Sequence, residues 1–242
     1  MKILIVNDDG MNAAQLVPLI KWCRKLGDVT TAVPKWEQSG RSHAIELLKP
    51  FEATQVELEP GVTIWAVDST PADCVRFAVL ALKQRYDLVI SGINRGWNIG
   101  SDTMYSGTVG AACEAVNLGM KAIALSTSVR DYPRATEQLD RVFDFIQKHD
   151  LLAVNDLYNV NIPADAKGIK ITKIGTGYDM GSIELVGPNQ YYLDKLTLWV
   201  DREDNTLDTD ASRHGYISIS PLTTTKTNLA IYQQLLDQNL QE

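Results

Sequence analysis

The stretch Ile3–Gly10 reads ILIVNDDG, and it decides the fold class of this chain. Its apolar half is typical of a strand buried on both faces, as in the parallel sheet of an α/β protein. Ligands of such sheets bind beyond the carboxyl ends of the strands, which is where Asp8 and Asp9 follow. Two adjacent carboxylates repel each other and are costly to desolvate together. We therefore expect a hard divalent cation, Mg²⁺ or Mn²⁺, at this strand end; an Asx turn leading into the next helix is the structural alternative.

Composition excludes several classes of function. The chain has 242 residues and a formal net charge of −7, which argues against a nucleic-acid polymer as partner. No apolar run approaches the roughly 18 residues needed to span a bilayer, so no membrane partner is expected. Asn7 and the residues after it interrupt any signal-peptide core. The three cysteines form no CxxC pair and indicate reduced thiols in a cytoplasmic protein.

Strand and helix patterns alternate through the first half of the chain. The predicted strands are Ile3–Asn7, Val29–Val33, Thr63–Val67, Asp87–Ile93 and Ala122–Ser126. The predicted helices are Leu16–Leu26, Ala72–Lys83, Ala111–Leu118 and Pro133–His149. This alternation predicts an α/β, Rossmann-like fold, with a mostly parallel sheet, flanking helices and right-handed crossovers.

The second half changes character. Strand patterns recur at Asn159–Pro163, Lys170–Ile174 and Tyr216–Ser220, and Asn228–Leu240 has the pattern of a final amphipathic helix. Residues 175–216 lack helical periodicity and are rich in Gly, Asp and Tyr, which predicts a β-hairpin and an extended arm. No linker or repeat divides the chain, so residues 1–242 are expected to form a single domain with this extension.

Three further motifs follow predicted strands or open a helix. Gln38–His43 is polar and contains a glycine, and Ser91–Asp102 carries three glycines that let backbone approach a ligand. Neither matches a dinucleotide fingerprint or a P-loop. Tyr105–Ala112 consists largely of small residues at a helix start, where free N–H groups suit phosphate; N-capping by Ser106 or Thr108 is the structural alternative and is compatible with phosphate binding.

These motifs together closely resemble those of the SurE stationary-phase survival proteins, a family of metal-dependent 5′-nucleotidases. The matching segments are Asn7–Gly10, Gln38–Gly40, Thr70–Val75, Ser91–Asn94, Tyr105–Ala112, Asn159–Pro163, Thr209–Asp210 and Gly215–Leu222. They extend over nearly the whole chain in the family's order. Two departures are Ser69, where the family usually has Gly, and Met11–Gln15, which lacks the Gly usual after the aspartate pair; the second bears on substrate preference.

The resemblance implies particular site residues and partners. It implies one divalent metal ion per subunit, held by Asp8, Asp9, Ser39 and Asn94. It implies phosphate or substrate contacts from Asn98, Ser106, Gly107 and Thr108. It also implies a Rossmann-like core and a homodimer or homotetramer in which C-terminal segments, from about residue 175 to 242, exchange between subunits.

The hypothesis is that a metal-activated water hydrolyses nucleoside 5′-monophosphates to nucleoside and phosphate. Asp8 or Asp9 is the candidate general base, and the sequence does not choose between them. His43 is either a general acid or a hydrogen-bonding loop residue, and Trp97 and Tyr105 either stack on a base or pack in the core. Activity on 3′-nucleotides and polyphosphate is left open. The alternatives are a nucleotide-binding regulatory module without turnover and a metal-free transferase.

Overall fold

The computed structural model describes residues 1–176, 178–179, 182–194 and 197–238. The strands, in chain order, are β1 (Lys2–Val6), β2 (Asp28–Pro34), β3 (Ala53–Glu59), β4 (Val62–Val67), β5 (Leu88–Arg95), β6 (Lys121–Thr127), β7 (Leu157–Asn161), β8 (Gly168–Ile171), β9 (Tyr178–Asp179), β10 (Ser182–Gly187), β11 (Gln190–Asp194), β12 (Thr197–Leu198) and β13 (Tyr216–Pro221). The α-helices are α1 (Leu16–Cys23), α2 (Pro71–Arg76), α3 (Gly107–Asn117), α4 (Leu139–Lys148), α5 (Leu151–Val154), α6 (Asp208–Arg213) and α7 (Leu229–Asp237).

One mixed sheet of nine strands forms the centre of the molecule, in the order β3-β4-β2-β1-β5-β6-β7-β13-β8. The six strands from β4 to β7 pair in parallel with their neighbours. The edge strand β3 runs antiparallel to β4, and β13 runs antiparallel to β7. The predicted Rossmann-like, mostly parallel sheet is confirmed. Its topology brings the carboxyl ends of β1, β2 and β5 to one edge, because these strands are immediate neighbours.

The sheet is covered on both faces, as the apolar β1 stretch predicts. Ile3 and Ile5 pack into one hydrophobic cluster with α1 and α4, whereas Leu4 and Val6 pack into a second cluster with α2 and α3. Alternate residues of a strand point to opposite faces, so a strand buried on both faces has no polar position until it ends. The chain turns polar at Asn7, at the edge where ligands of such sheets bind.

Several predicted elements differ from those observed. The predicted helix Pro133–His149 is wrong in its first part: residues 132–134 form a single 3₁₀ turn and α4 begins only at Leu139. The predicted helix Ala72–Lys83 is α2 followed by a π-helical turn at Phe77–Ala81. Helix α3 begins four residues before its predicted start, and β3 and α6 were not predicted.

The arm lies between β8 and α6. Within it β10 and β11 form an antiparallel hairpin outside the main sheet, as predicted. The buried Asp208 closes the base of the arm, because its carboxylate accepts hydrogen bonds from the backbone N–H of Gly175 at 2.7 Å and of Gly100 at 3.1 Å. Helix α7 confirms the predicted C-terminal helix as far as Asp237, and its predicted end at Leu240 lies outside the described residues. In the described part of the chain, no helix has the length and apolarity needed to cross a membrane.

Candidate active site at the carboxyl ends of β1, β2 and β5

A tight turn fixes the residues that follow β1. The side chain of Asn7 donates from Nδ2 to the carbonyl of Gly10 at 3.0 Å, and its Oδ1 accepts from the N–H of Gly10 at 3.1 Å. Gly10 has φ +86°, and a Cβ there would come within 3.0 Å of the carbonyl carbon of Trp36. Asn7 therefore makes the local turn, which leaves the carboxylates of Asp8 and Asp9 available for other partners.

Both carboxylates are desolvated. Asp8 is 3 % exposed, its Oδ1 accepts a hydrogen bond from the hydroxyl of Thr108, and burial raises its pKa. Burial, and then the charge of Asp8, raise the pKa of Asp9 to about 6, although the N–H of Arg95 donates to Asp9 at 2.9 Å. Among the described residues neither carboxylate forms a salt bridge with Lys or Arg. A buried carboxylate next to a partly buried one, with no salt bridge in the described residues, is a site that a metal ion would stabilise.

Asn94 presents its amide oxygen because of a local irregularity in β5. Between Ser91 and Asn94 the register against β6 contains one extra residue on β5, since these residues pair with Ala124 and Ser126. Such bulges re-aim side chains beside active sites. The Nδ2 of Asn94 donates to the carbonyl of Gly96 at 2.9 Å, which leaves Oδ1 as its available ligand atom.

Ser39 lies on the loop after β2, which the N–H of Gln38 ties to the carbonyl oxygen of Asp8 at 2.7 Å. The Ser39 hydroxyl donates to the carboxylate of Glu37 at 2.7 Å, so its oxygen lone pairs can face a cation. Sequence reasoning missed Glu37, whose charge adds to the rise in the pKa of both Asp8 and Asp9. The only sequence signal for Glu37 was its position two residues before Ser39.

The start of α3 lies directly against Asp8. The Ser106 hydroxyl accepts from the N–H of Val109 at 3.0 Å, so the N-cap alternative for this residue holds. A Cβ on Gly107 would lie 2.9 Å from the Cβ of Asp8, which makes glycine necessary for this close approach. The first N–H groups of a helix have no intrahelical acceptor and suit an anion. Capping by Ser106 and phosphate binding at this helix start remain compatible.

A cavity of about 180 Å³ unites most of the predicted residues. It is lined by Asp8, Ser39, Gly40, Asn94, Arg95, Gly96, Trp97, Asn98, Asp102, Tyr105 and Ser106. Gly107 and Thr108 contact Asp8 but do not line this cavity, and Asp9 lines a neighbouring cavity. Asn98 is buried and its Nδ2 already donates to Ser126 at 2.7 Å, so only one of its amide protons remains for a ligand.

A general-acid role would require the His43 ring to reach the cavity around Asp8, but the ring contacts Glu114. Its Nε2 lies 2.7 Å from Oε2 of Glu114, and Nη1 of Arg76 donates to Oε1 of the same carboxylate at 2.8 Å. These hydrogen bonds, with that of His43 the largest cause, lower the pKa of Glu114. His43 does not line the cavity around Asp8, which favours the loop role over the general acid. Arg76 belongs to the same network.

The donor set fits a hard cation. Two carboxylates, a hydroxyl and an amide oxygen are the oxygen ligands that Mg²⁺ and Mn²⁺ prefer, with water completing the shell. Nowhere in the described residues do three His, Cys, Asp or Glu side chains cluster in a way that would hold a metal. A cation here would consequently depend on the neutral oxygens of Ser39 and Asn94 as well as on the aspartate pair.

Fold and site together define a Rossmann-like α/β protein with paired carboxylates against a helix N-terminus at the strand ends. Comparison with known proteins identifies its family. Residues 3–180 match the family model described as Survival protein SurE, and the chain belongs to the SurE family.

The relatives share most of their length with this chain. A 5′-nucleotidase SurE from Clostridium beijerinckii is 36 % identical, with 96 % of both chains covered. Its namesakes from Thermoanaerobacter sp. and Haemophilus influenzae are 35 % and 34 % identical, covering 92 % and 98 % of this chain and 92 % and 95 % of theirs. The crystal structure of a SurE protein from Aquifex aeolicus superposes with a TM-score of 0.78 at 27 % identity, covering 99 % of this chain and all of that one.

Proposed function

We propose that this protein is a 5′-nucleotidase that hydrolyses nucleoside 5′-monophosphates to nucleoside and phosphate, with a divalent cation at the aspartate pair. The observation that carries the proposal is the desolvated pair Asp8 and Asp9 without a salt-bridge partner in the described residues, lying against the N-terminus of α3. The relatives, which are named 5′-nucleotidase SurE, support the same activity.

Asp8, Asp9, Ser39 and Asn94 would hold the cation. Mg²⁺ and Mn²⁺ both suit these ligands, and the proposal is one ion per subunit. When bound, the ion supplies a Lewis acid for the phosphoryl oxygens and a lowered pKa for bound water.

The chain itself supplies positioning and hydrogen bonds. The N–H of Gly107 at the start of α3, together with the remaining amide proton of Asn98, would bind the equatorial oxygens of the phosphoryl group. Both the N–H and the hydroxyl of Thr108 already bond to the carboxylate of Asp8. Water would attack phosphorus in line with the departing nucleoside oxygen. Asp8 or Asp9 would accept the proton of the attacking water, and the nucleoside oxygen would leave with a proton from solvent. Thr108 is a positioning residue in this scheme, because it acts through Asp8.

The test is direct. Purified protein is incubated with nucleoside monophosphates and Mg²⁺ or Mn²⁺, and phosphate release is measured with and without a chelator. We expect release that the chelator abolishes and that excess metal restores. Release that survives both chelation and Asp9→Ala would contradict the metal-dependent mechanism. Tight nucleotide binding without turnover would instead identify a regulatory module. The same assay with 3′-nucleotides and polyphosphate measures whether these are additional substrates.

We also propose that the protein is a cytoplasmic homodimer or homotetramer in which segments from residue 175 onward exchange. The arm supports exchange because its hairpin exposes apolar side chains that a second subunit could cover. Ile183, Leu185, Tyr191 and Leu193 are each more than 60 % exposed. Light scattering of the full chain, compared with a variant carrying Leu185→Asp and Tyr191→Asp, tests it; an unchanged mass would contradict a contact through the hairpin.

A further inference from the structure

Asn98, one of the proposed phosphate contacts, is held by side chains of β7. The backbone N–H of Asn98 donates to Oδ1 of Asn161 at 2.9 Å, and Nδ2 of Asn161 donates to the carbonyl oxygen of Asn98 at 3.1 Å. A single side-chain amide thus pairs with both backbone groups of one residue. Nδ2 of Asn159 donates to the same carbonyl oxygen at 2.7 Å. Hydrogen bonds from β7 therefore fix the backbone of Asn98, although β6 separates β7 from β5 in the sheet.

The side chain of Asn98 has a partner on the strand between them. Its Nδ2 donates to the hydroxyl oxygen of Ser126 at 2.7 Å. Ser126 of β6 pairs in register with Asn161, and Asn159 is the alternate residue of the same strand as Asn161, so the three side chains share a face of the sheet. All three are fully buried, and Asn98 is 5 % exposed. One amide proton of Asn98 is thereby committed to the protein, and the other is left for a ligand.

Asparagine is a costly choice at these positions of β7. Every residue of β7 is buried, and a buried side-chain amide destabilises the fold unless it is hydrogen-bonded. Apolar residues would suit a buried strand, but they would leave the N–H and the carbonyl of Asn98 without these partners. Asn98 lies beyond the end of β5, where no strand ladder supplies replacements. The two asparagines therefore serve the conformation of the loop more than that of the strand.

We infer that Asn161 is a positioning residue for phosphate binding, and that with Asn159 and Ser126 it places the free amide proton of Asn98 in the cavity around Asp8. Asn98 lines that cavity, whereas the three buried side chains do not, so they act through Asn98. The inference rests on the proposed nucleotidase function and adds the residues that set the geometry of its phosphate site.

The same arrangement separates phosphate binding from metal binding. The proposed metal ligands Asp8, Ser39 and Asn94 lie at or after the ends of β1, β2 and β5, whereas Asn161 ends β7. Loss of the Asn161 amide should consequently weaken phosphate binding and leave metal affinity in place. A residue that is needed only for folding would not separate the two affinities.

The test compares two asparagines at opposite ends of β7. Asn161→Leu retains the approximate size of the side chain and removes both of its hydrogen bonds to Asn98. Asn155→Leu is the matched control, because Nδ2 of Asn155 donates to two backbone carbonyls, at 2.6 and 3.1 Å, near the start of β7. Ser126→Ala keeps the backbone pairing and removes only the partner of the Asn98 side chain.

Each variant is titrated with inorganic phosphate in the presence of Mg²⁺ by isothermal calorimetry. The metal concentration for half-activation, kcat and KM are measured with adenosine 5′-monophosphate. We expect Asn161→Leu to weaken phosphate binding about tenfold or more and to lower kcat/KM about 10- to 100-fold, because displacement by about 1 Å has an effect of that order. The metal concentration for half-activation should stay at the wild-type value. Ser126→Ala should show a smaller loss in the same direction, and Asn155→Leu should lower only the midpoint of thermal unfolding.

Phosphate affinity that is unchanged in Asn161→Leu, or lowered equally in Asn155→Leu, overturns the inference. A parallel loss of metal affinity in Asn161→Leu also overturns it, because that result indicates general damage to the fold. If Asn161→Leu does not fold, Ser126→Ala decides, and wild-type phosphate affinity in that variant overturns the inference. Wild-type protein that binds phosphate but hydrolyses no nucleotide contradicts the proposed function instead, and the phosphate titrations still test the positioning role.

Discussion

Gly107 and Asp8 are packed so closely that no side chain fits between them. A Cβ on Gly107 would lie 2.9 Å from the Cβ of Asp8 and 3.1 Å from its Oδ2. The helix that is proposed to hold phosphate is therefore in direct contact with a proposed metal ligand. The distance between the two sub-sites is set by backbone packing.

Gly107→Ala should separate the phosphate and metal sub-sites. We expect kcat/KM to fall about 10- to 100-fold, because misplacement by about 1 Å has an effect of that order. Gly168→Ala is the control, since a Cβ at that position meets the Tyr216 ring at an ordinary 3.4 Å. Steady-state phosphate release measures kcat/KM for the two variants. Equal activity in Gly107→Ala and Gly168→Ala would contradict the role of the contact between Gly107 and Asp8.

Thr108 should act through its hydroxyl. The Thr108→Val variant removes the donor to Asp8, and a hydrogen bond to a charged group contributes about 1.5–3 kcal/mol. We expect kcat/KM to fall about tenfold or more and the metal concentration for half-activation to rise. Thr108→Ser keeps the donor and should retain most of the activity. If the serine variant is as impaired as the valine variant, the methyl contact matters and the hydrogen bond does not.

Asp9 should destabilise the metal-free protein at neutral pH. Its folded-state pKa of about 6 lies above the ordinary 3.8, so its ionisation opposes folding. The contribution of Asp9 to the free energy of unfolding of the metal-free protein is therefore fully present below pH 3.8. It is lost as the pH rises through about 6. Asp9→Asn removes the free-energy cost of ionising this side chain in the folded protein. We expect a gain of about 2 kcal/mol in the free energy of unfolding at pH 7.5.

Urea unfolding in the presence of a chelator, from pH 4 to 8, measures this effect. Asp144→Asn, at an exposed position on α4, is the control and should leave the profile unchanged. The same Asp9→Asn protein should lose activity at least a hundredfold (an order-of-magnitude expectation from the loss of a charged ligand). A variant that is both less stable without metal and inactive would indicate simple misfolding.

The His43–Glu114 hydrogen bond should hold the loop that carries Ser39. The loop also contacts its surroundings through the N–H of Ser42, which donates to the carbonyl of Tyr105 at 2.9 Å. Glu114→Gln should weaken metal activation several-fold while kcat at saturating metal stays near wild type. His43→Ala should have the same effect. The double variant should be little worse than Glu114→Gln, because both substitutions remove the His43–Glu114 hydrogen bond. A large fall in kcat for His43→Ala alone would restore the general-acid role.

The proposed metal ligands were predictable because of where they lie along the chain. Asp8 and Asn94 follow or end buried strands that an apolar run identifies, and parallel strands bring such ends together. Ser39 follows Val33 and Pro34 in the same way. The network of His43 with Glu114 was not predictable, since 71 residues separate the partners and neither belongs to a local pattern.

The mispredicted elements share a physical cause, which is tertiary contact overriding local preference. Helix α6 consists of Asp, Thr, Ala, Ser and Arg, residues that mostly favour caps and turns, yet Asp208 and Asp210 are fully buried and accept backbone hydrogen bonds. Conversely, Arg134 pairs with Glu137 and Asp165 and stands in a turn where periodicity predicts helix. Edge strand β3 depends on its pairing with β4.

The carboxylate of Asp208 joins two parts of the chain that would otherwise open independently. It holds the backbone where the arm begins, at Gly175, and the backbone of Gly100 in the loop that borders the phosphate cavity. The two amides should consequently show correlated protection from hydrogen exchange, as members of one cooperative unit. In the proposed assembly, a neighbouring subunit that displaced the arm would therefore also act on the loop around Gly100 through this carboxylate.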